Sequence, residues 1–146
     1  MVANTSPIFA LSGDVSNNGT TGMNQMVTAA ANDYTGIDAD VSLVWTAGSN
    51  GGYVKGIKFK SGGTNVASVA RIYFNNGSAA TTATNNTFFA EVSLPATTAI
   101  ATAATAEIYL PIELALPASF RVYFGLGTAV AAGWCANVIG GQYQIL

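Results

Sequence analysis

An all-β fold, an antiparallel sandwich of about eight strands wound like a jelly roll, is predicted by three features of this 146-residue chain. Apolar residues alternate with others at period two over seven separate runs. Clusters of Gly, Asn, Ser and Pro separate those runs. Apolar residues rarely recur at spacings of three and four, so amphipathic helices are not expected.

The elements follow in order. Residues 1–40 read as an extended N-terminal arm with one strand over residues 7–11. Residues 12–22 are polar and Gly-rich, and residues 23–34 carry no firm periodicity, with a short helix over residues 24–31 as the alternative. The sandwich then occupies residues 41–146, the whole forming one domain. Val41, Leu43 and Trp45 point one way and Ser42, Val44 and Thr46 the other. Ile57 and Phe59 alternate with Lys58 and Lys60. Ala70, Ile72 and Phe74 face in, Arg71 and Tyr73 out. Phe88, Ala90, Val92 and Leu94 face in, Phe89, Glu91 and Ser93 out. Ile108, Leu110, Ile112 and Leu114 alternate with Glu107, Tyr109, Pro111 and Glu113. Phe120, Val122 and Phe124 alternate with Arg121 and Tyr123, and Trp134, Ala136 and Val138 close the series. The charges in these runs fall on the outward set, as strands with one buried face require. Turns are marked by Gly48-Ser49-Asn50-Gly51-Gly52, Ser61-Gly62-Gly63, Asn75-Asn76-Gly77-Ser78, Pro95, Pro117 and Gly140-Gly141. Pro111 inside a strand pattern predicts an edge position or a bulge. Residues 79–86 and 95–106, rich in Ala and Thr and uncharged, are expected at one end as loops or strand edges.

Composition bounds the function. Half of the chain is hydrophobic and only 8% is charged, against about 25% in an ordinary soluble domain. Thr, Asn, Ser, Gly and Ala must therefore cover most of the surface. Such a surface repels itself weakly and suits a subunit packed against copies of itself or against a shell. A formal charge of −2 with five basic residues argues against nucleic-acid binding, which needs clustered Lys and Arg. Mean hydropathy is +0.38, yet Gly, Pro, Thr or Glu breaks every apolar run short of the roughly 20 residues of a spanning helix. A soluble protein without a membrane partner is expected. Met1-Val2-Ala3-Asn4-Thr5-Ser6-Pro7 lacks the basic start and long apolar run of a signal peptide, which predicts synthesis in the cytoplasm without export.

The residues that could carry chemistry are few. The chain has no histidine and one cysteine, which removes His-activated nucleophiles and a zinc site. Cys135, between Trp134 and Ala136, reads as a small buried hydrophobe. Gly125-Leu126-Gly127 lacks the third Gly and the helix of a dinucleotide fingerprint. Asp33, Asp38 and Asp40 form the one dense acidic group, read as a solvated loop since the spacing lacks the closing Glu of an EF-hand, with weak calcium binding or an intersubunit contact as the alternatives. Glu91, Glu107 and Glu113 lie on outward faces with Arg71 and Arg121, and surface ion pairs suit them better than a glycosidase pair. No catalytic residue, cofactor or metal is expected, and the chain is read as a non-enzyme. Ile8 and Phe9 form an apolar anchor in the arm, and Tyr73, Tyr109, Tyr123 and Phe89 are outward aromatics of the kind that enrich protein interfaces. These six are the candidate interface residues.

Several strand-and-turn stretches resemble small virion structural proteins of tailed bacteriophages. They are Ala3-Asn4-Thr5-Ser6-Pro7-Ile8-Phe9, Val44-Trp45-Thr46-Ala47-Gly48-Ser49-Asn50-Gly51-Gly52, the run from Gly63 to Gly77, Glu91-Val92-Ser93-Leu94-Pro95-Ala96-Thr97-Thr98, and the run from Leu126 to Trp134. The resemblance implies a capsid decoration or cement protein: all-β, on the outside of the head, often trimeric, with the major capsid protein and its own copies as partners and no catalytic residues. Residues 12–40 depart from that pattern. A tail, baseplate or head-fibre subunit and a carbohydrate-binding module are the alternative expectations.

Overall fold

The computed structural model describes residues 8–14, 24–31 and 33–145, with 8–14 and 145 described as backbone. Eight strands form: β1 (Ile8–Asp14), β2 (Ser42–Thr46), β3 (Gly52–Ser61), β4 (Ser68–Asn75), β5 (Asn86–Leu94), β6 (Glu107–Leu116), β7 (Arg121–Leu126) and β8 (Trp134–Ile145). They make two four-stranded sheets, the first ordered β1-β8-β3-β6 and the second β2-β7-β4-β5. Every pairing is antiparallel. The pairing is nested, with β1 beside β8, β2 beside β7, β3 beside β6 and β4 beside β5. The expected β-sandwich is present.

The inner faces meet in one core. Trp45, Ile57, Phe59, Ile72, Val122, Phe124, Leu126, Trp134 and Val138 have no exposed surface, and the Phe59 and Phe124 rings lie 5.6 Å apart across the sheets. Each such side chain contributes roughly 1.5–3 kcal/mol through burial. Alternation fails where the ladder is irregular. The register shifts between Leu43 and Trp45, so Val44 and Trp45 are both buried although alternation assigned them to opposite faces. A second shift between Ile72 and Tyr73 reverses the assignment at the start of β5. Phe88, expected inside, pairs with Tyr73 on the outer face, and Phe89, expected outside, stacks on Phe74 with ring centroids 4.3 Å apart. Pro111 sits on an edge strand, two residues from Glu113, whose φ of 53° is left-handed. Leu114 lies opposite buried Val54 but stays partly exposed, because β6 is the last strand of its sheet.

The chain before β2 does not form the helix considered for residues 24–31. It runs extended against the sandwich: Val27 exchanges backbone hydrogen bonds with Trp134 (2.9 and 3.0 Å), Ala31 N–H donates to Leu126 O (2.8 Å) and Val130 N–H to Thr28 O (2.9 Å). Val27 and Ala31 are buried; residues 24–27 bond to β8 of the first sheet, and residue 31 and residues 33–36 continue as a strap over the second sheet. The rest of the expected arm, residues 1–7, 15–23 and 32, lies outside the described residues.

One buried polar side chain ties the loops at one end. Asn65 Nδ2 donates to Ser61 Oγ (3.1 Å) and to Gly133 O (3.0 Å), while its Oδ1 accepts from Ala132 N (2.7 Å) and Gly133 N (3.1 Å). Its backbone exchanges hydrogen bonds with Thr97. Replacing Asn65 by Ala removes the acceptor of the buried Gly133 N–H and the part-buried Ala132 N–H, while Gly133 O keeps the Gly62 N–H, and Asn65→Ala is expected to lower stability by about 2–3 kcal/mol. Urea unfolding of the variant checks this; a loss within measurement error would contradict it.

Candidate interaction surfaces

The second sheet is covered on its outer side. Arg71, on β4, donates from Nε to Glu91 Oε1 (3.1 Å), from Nη1 to Ala31 O (2.9 Å) and from Nη2 to Tyr34 Oη (3.1 Å), and its guanidinium carbon lies 4.2 Å from the Tyr34 ring centre. Tyr34 meets Phe88 edge-on at 5.2 Å. Tyr73 Oη donates to Asp33 O (2.8 Å), and Gly36 leaves the space that the Tyr73 ring fills, since a Cβ there would meet that ring at 2.9 Å. Tyr73 is thus on the outward face, as alternation says, yet wholly buried beneath a strap that alternation cannot register. Burial, with help from the Asp33 and Glu91 charges and against Arg71, pushes its phenol up to about 12. Burial pulls the Arg71 guanidinium down, but its bond to Glu91 and the neighbouring groups leave it raised overall.

The acidic group is an internal cap. Asp33 Oδ1 accepts from Thr35 N (2.6 Å), Thr35 Oγ1 (3.0 Å) and Gly36 N (2.6 Å), and Oδ2 accepts from Asp38 N (2.9 Å). Asp38 Oδ1 accepts from Asp40 N (2.9 Å). These carboxylates order their own turn, and among the described residues no group of three or more Cys, Asp or Glu could hold a metal ion. Burial works to raise the Asp33 pKa, but its hydrogen bonds with Gly36, Thr35 and Asp38 outweigh burial and hold it below the ordinary value.

Among the described residues none crosses the outer face of the first sheet. On β3, Lys58 stands opposite Tyr109 of β6 and Asn137 of β8; the next row sets Gly56 opposite Pro111 and Ile139. Tyr53 Oη donates to Glu113. That bond first, then burial and the nearby Glu113, Tyr143 and Tyr109, raise the Tyr53 phenol. Lys58 Nζ lies 3.6 Å from Glu107 Oε2, and Lys60 Nζ donates to Thr105 O (2.7 Å). Of the three glutamates weighed as a catalytic pair, Glu91 sits on β5 of the other sheet and all three have polar partners, Arg71, Lys58 and Tyr53.

The side of the sandwich bounded by β5 and β6 is less closed than the core. Ala90, Val92, Ile108, Leu110 and Ile112 pack against the core but remain partly exposed, and Phe88, Phe89 and Leu114 keep 38–42% of their surface. On the opposite side a cleft of about 400 Å³ separates residues 24–29 from residues 39–44.

The candidate interface residues therefore do not form one patch. Tyr109 is exposed on the first sheet, Phe89 is exposed on edge strand β5, and Tyr123 is half-buried in a groove of about 200 Å³ with Gly36, Ile37 and Ala80. Tyr73 offers no exposed surface. The backbones of Ile8 and Phe9 pair with Ile145 and Gln144 in the first sheet, and their side chains lie outside the described residues. Cys135 is buried as expected, with Sγ 3.5 Å from Asn24 O, and burial pushes its thiol up. Sequence reasoning missed Tyr53 and Gly56, and it assigned Glu113 to a surface ion pair where the structure gives it Tyr53 as partner; the break in alternation at Gly56 was the available signal.

No family model matches the chain, and neither a curated protein nor a solved structure matches it.

Because the folded Asp33 pKa lies below its ordinary 3.8, its stabilisation is complete above that value and disappears as pH falls through the folded one. Asp33→Asn is expected to destabilise the protein at neutral pH and to flatten the loss of stability on acidification. Thermal unfolding at a series of pH values measures both; parallel curves for the two proteins would refute the assignment.

Proposed function

We propose that this chain is a non-enzymatic shell subunit, a decoration or cement protein of a tailed-phage head, acting as a homotrimer bound between copies of the major capsid protein. The nested strand pairing is read as a jelly roll. The observation that carries the proposal is the surface: 8% charged residues on a sandwich whose β5–β6 side leaves core-packed apolar residues partly open. A monomer gains nothing from that exposure, whereas a partner covering it continues the core outward. The ion pairs Arg71–Glu91 and Lys58–Glu107 neutralise charge that a docking partner would otherwise have to desolvate. Repetition over a shell then multiplies a modest contact. The resemblance of Gly63–Gly77 and Leu126–Trp134 to small virion structural proteins gives the class of shell. On this reading the protein is made in the host cytoplasm and resides on the capsid surface, with no nucleic-acid, membrane or cofactor partner.

The test is to add purified protein to tailed-phage heads stripped of it and to follow binding and thermal resistance. Saturable uptake at fixed stoichiometry to the major capsid protein, with heads that withstand higher temperature, is expected. Uptake restricted to tails or baseplates, or no effect on head stability, would refute the proposal. Phe89→Asp, which charges the open side, should abolish uptake while leaving the unfolding temperature within a few degrees, because Phe89 is already 42% exposed.

A further inference from the structure

We propose that Met26 is an oxidation site: a peroxide converts its thioether to the sulfoxide and thereby loosens residues 24–27 from β8. This goes beyond the shell function and does not rest on it. Two glycines form the seat of the Met26 side chain. A Cβ at Gly133 would meet Met26 Cβ at 2.9 Å, and one at Gly62 would meet Sδ at 3.0 Å and Cε at 3.2 Å. The seat is itself fixed, because Gly62 N–H donates to Gly133 O (3.0 Å). The thioether therefore packs directly on backbone. Elsewhere the residue is open: Met26 keeps 47% of its surface exposed and lines the cleft of about 400 Å³ between residues 24–29 and 39–44. A small neutral oxidant such as hydrogen peroxide reaches it there.

In the reaction the sulfur lone pair attacks one peroxide oxygen, the O–O bond breaks and the S–O bond forms. The second oxygen leaves as water, carrying both hydrogens; sulfur is oxidised, peroxide is reduced and no other reactant is needed. A flexible apolar side chain becomes a polar one. Its new oxygen needs hydrogen-bond donors, and those of the seat are taken: Gly62 N–H bonds to Gly133 O and Gly133 N–H to Asn65 Oδ1. The oxidised side chain therefore turns to water and leaves the glycines. Besides buried Val27 and its backbone bonds to Trp134, the segment is then held by Asn24, whose Nδ2 donates to Ala136 O (2.7 Å) and Val44 O (3.2 Å). Cys135 is 8% exposed with its Sγ 3.5 Å from Asn24 O, so its reactivity reports whether the segment is in place. Losing one fastener makes local opening more frequent.

The experiment exposes the whole protein to millimolar hydrogen peroxide, removes the peroxide, and measures two things. Peptide mass mapping locates the added oxygen, and an aromatic disulfide reagent measures the reaction rate of Cys135. Expected are oxidation at Met26 and a roughly tenfold faster Cys135 reaction, reversed by methionine sulfoxide reductase. Met26→Leu keeps an apolar side chain that cannot be oxidised and should stay slow after peroxide, although Met1 and Met23 remain available to the oxidant. Met26→Gln, polar like the sulfoxide, should react fast without peroxide, which keeps the test decisive if Met26→Leu fails to fold. An unoxidised Met26, an unchanged Cys135 rate after Met26 is oxidised, a Met26→Leu protein that responds as the parent does, or a slow Met26→Gln protein would each overturn the proposal.

Discussion

Everything in this molecule depends on two sheets burying their inner faces against each other. Trp45, Phe59, Phe124 and Trp134, all fully buried, fill the space between sheets, and long-range antiparallel ladders satisfy the backbone around them. Of the polar groups inside, Asn65 is fully bonded, whereas the indole N–H groups of Trp45 and Trp134 find no hydrogen-bond partner among the described residues. The loops Asn65 joins, around Ser61, Thr97 and Gly133, cannot drift without orphaning buried groups. Stability is thereby concentrated in a rigid frame, and the faces and edges are left for association.

The two sheets use their outer faces differently. The second is sealed by the strap of residue 31 and residues 33–36, fastened by the Arg71 network, the Tyr73–Asp33 bond and the Asp33 cap. Among the described residues none crosses the first, a mosaic of tyrosines and charges in which Lys58 is paired with Glu107. The edge pair β5 and β6 differs again: both are long, both are irregular, at Phe89 and at Glu113, and both leave apolar residues half-covered. Bulges and Pro111 hinder simple strand addition at these edges, so association there is by side-chain packing. A surface with so little charge is compatible with that arrangement because little electrostatic work opposes bringing subunits together.

Much of the fold was legible because period-two alternation reports burial directly. The seven runs from Val41 onward all correspond to strands, and Pro111 announced its edge position. The failures have a common cause. At Val44, Phe88 and Phe89 one extra residue in a ladder puts the side chains on its two sides out of phase, and nothing local in the sequence announces it. Tyr73 failed for another reason: the outward face of a strand is exposed only if no other segment lies over it, and the strap comes from 40 residues upstream. Ion pairing was legible for Glu91, which found Arg71, but Arg121 instead donates to Ser78 O. On the first sheet Tyr109 stood out as exposed, whereas the approach of its hydroxyl to Gly56 and the bond of Tyr53 to Glu113 are products of register.

The central claim is that this lightly charged sandwich is built to be covered by copies of itself. Sedimentation of the isolated protein over a wide concentration range tests it most directly. The account predicts a discrete species of three times the 14.9 kDa chain mass at physiological salt. A monodisperse 14.9 kDa particle that stays monomeric and soluble at the highest concentrations would contradict it.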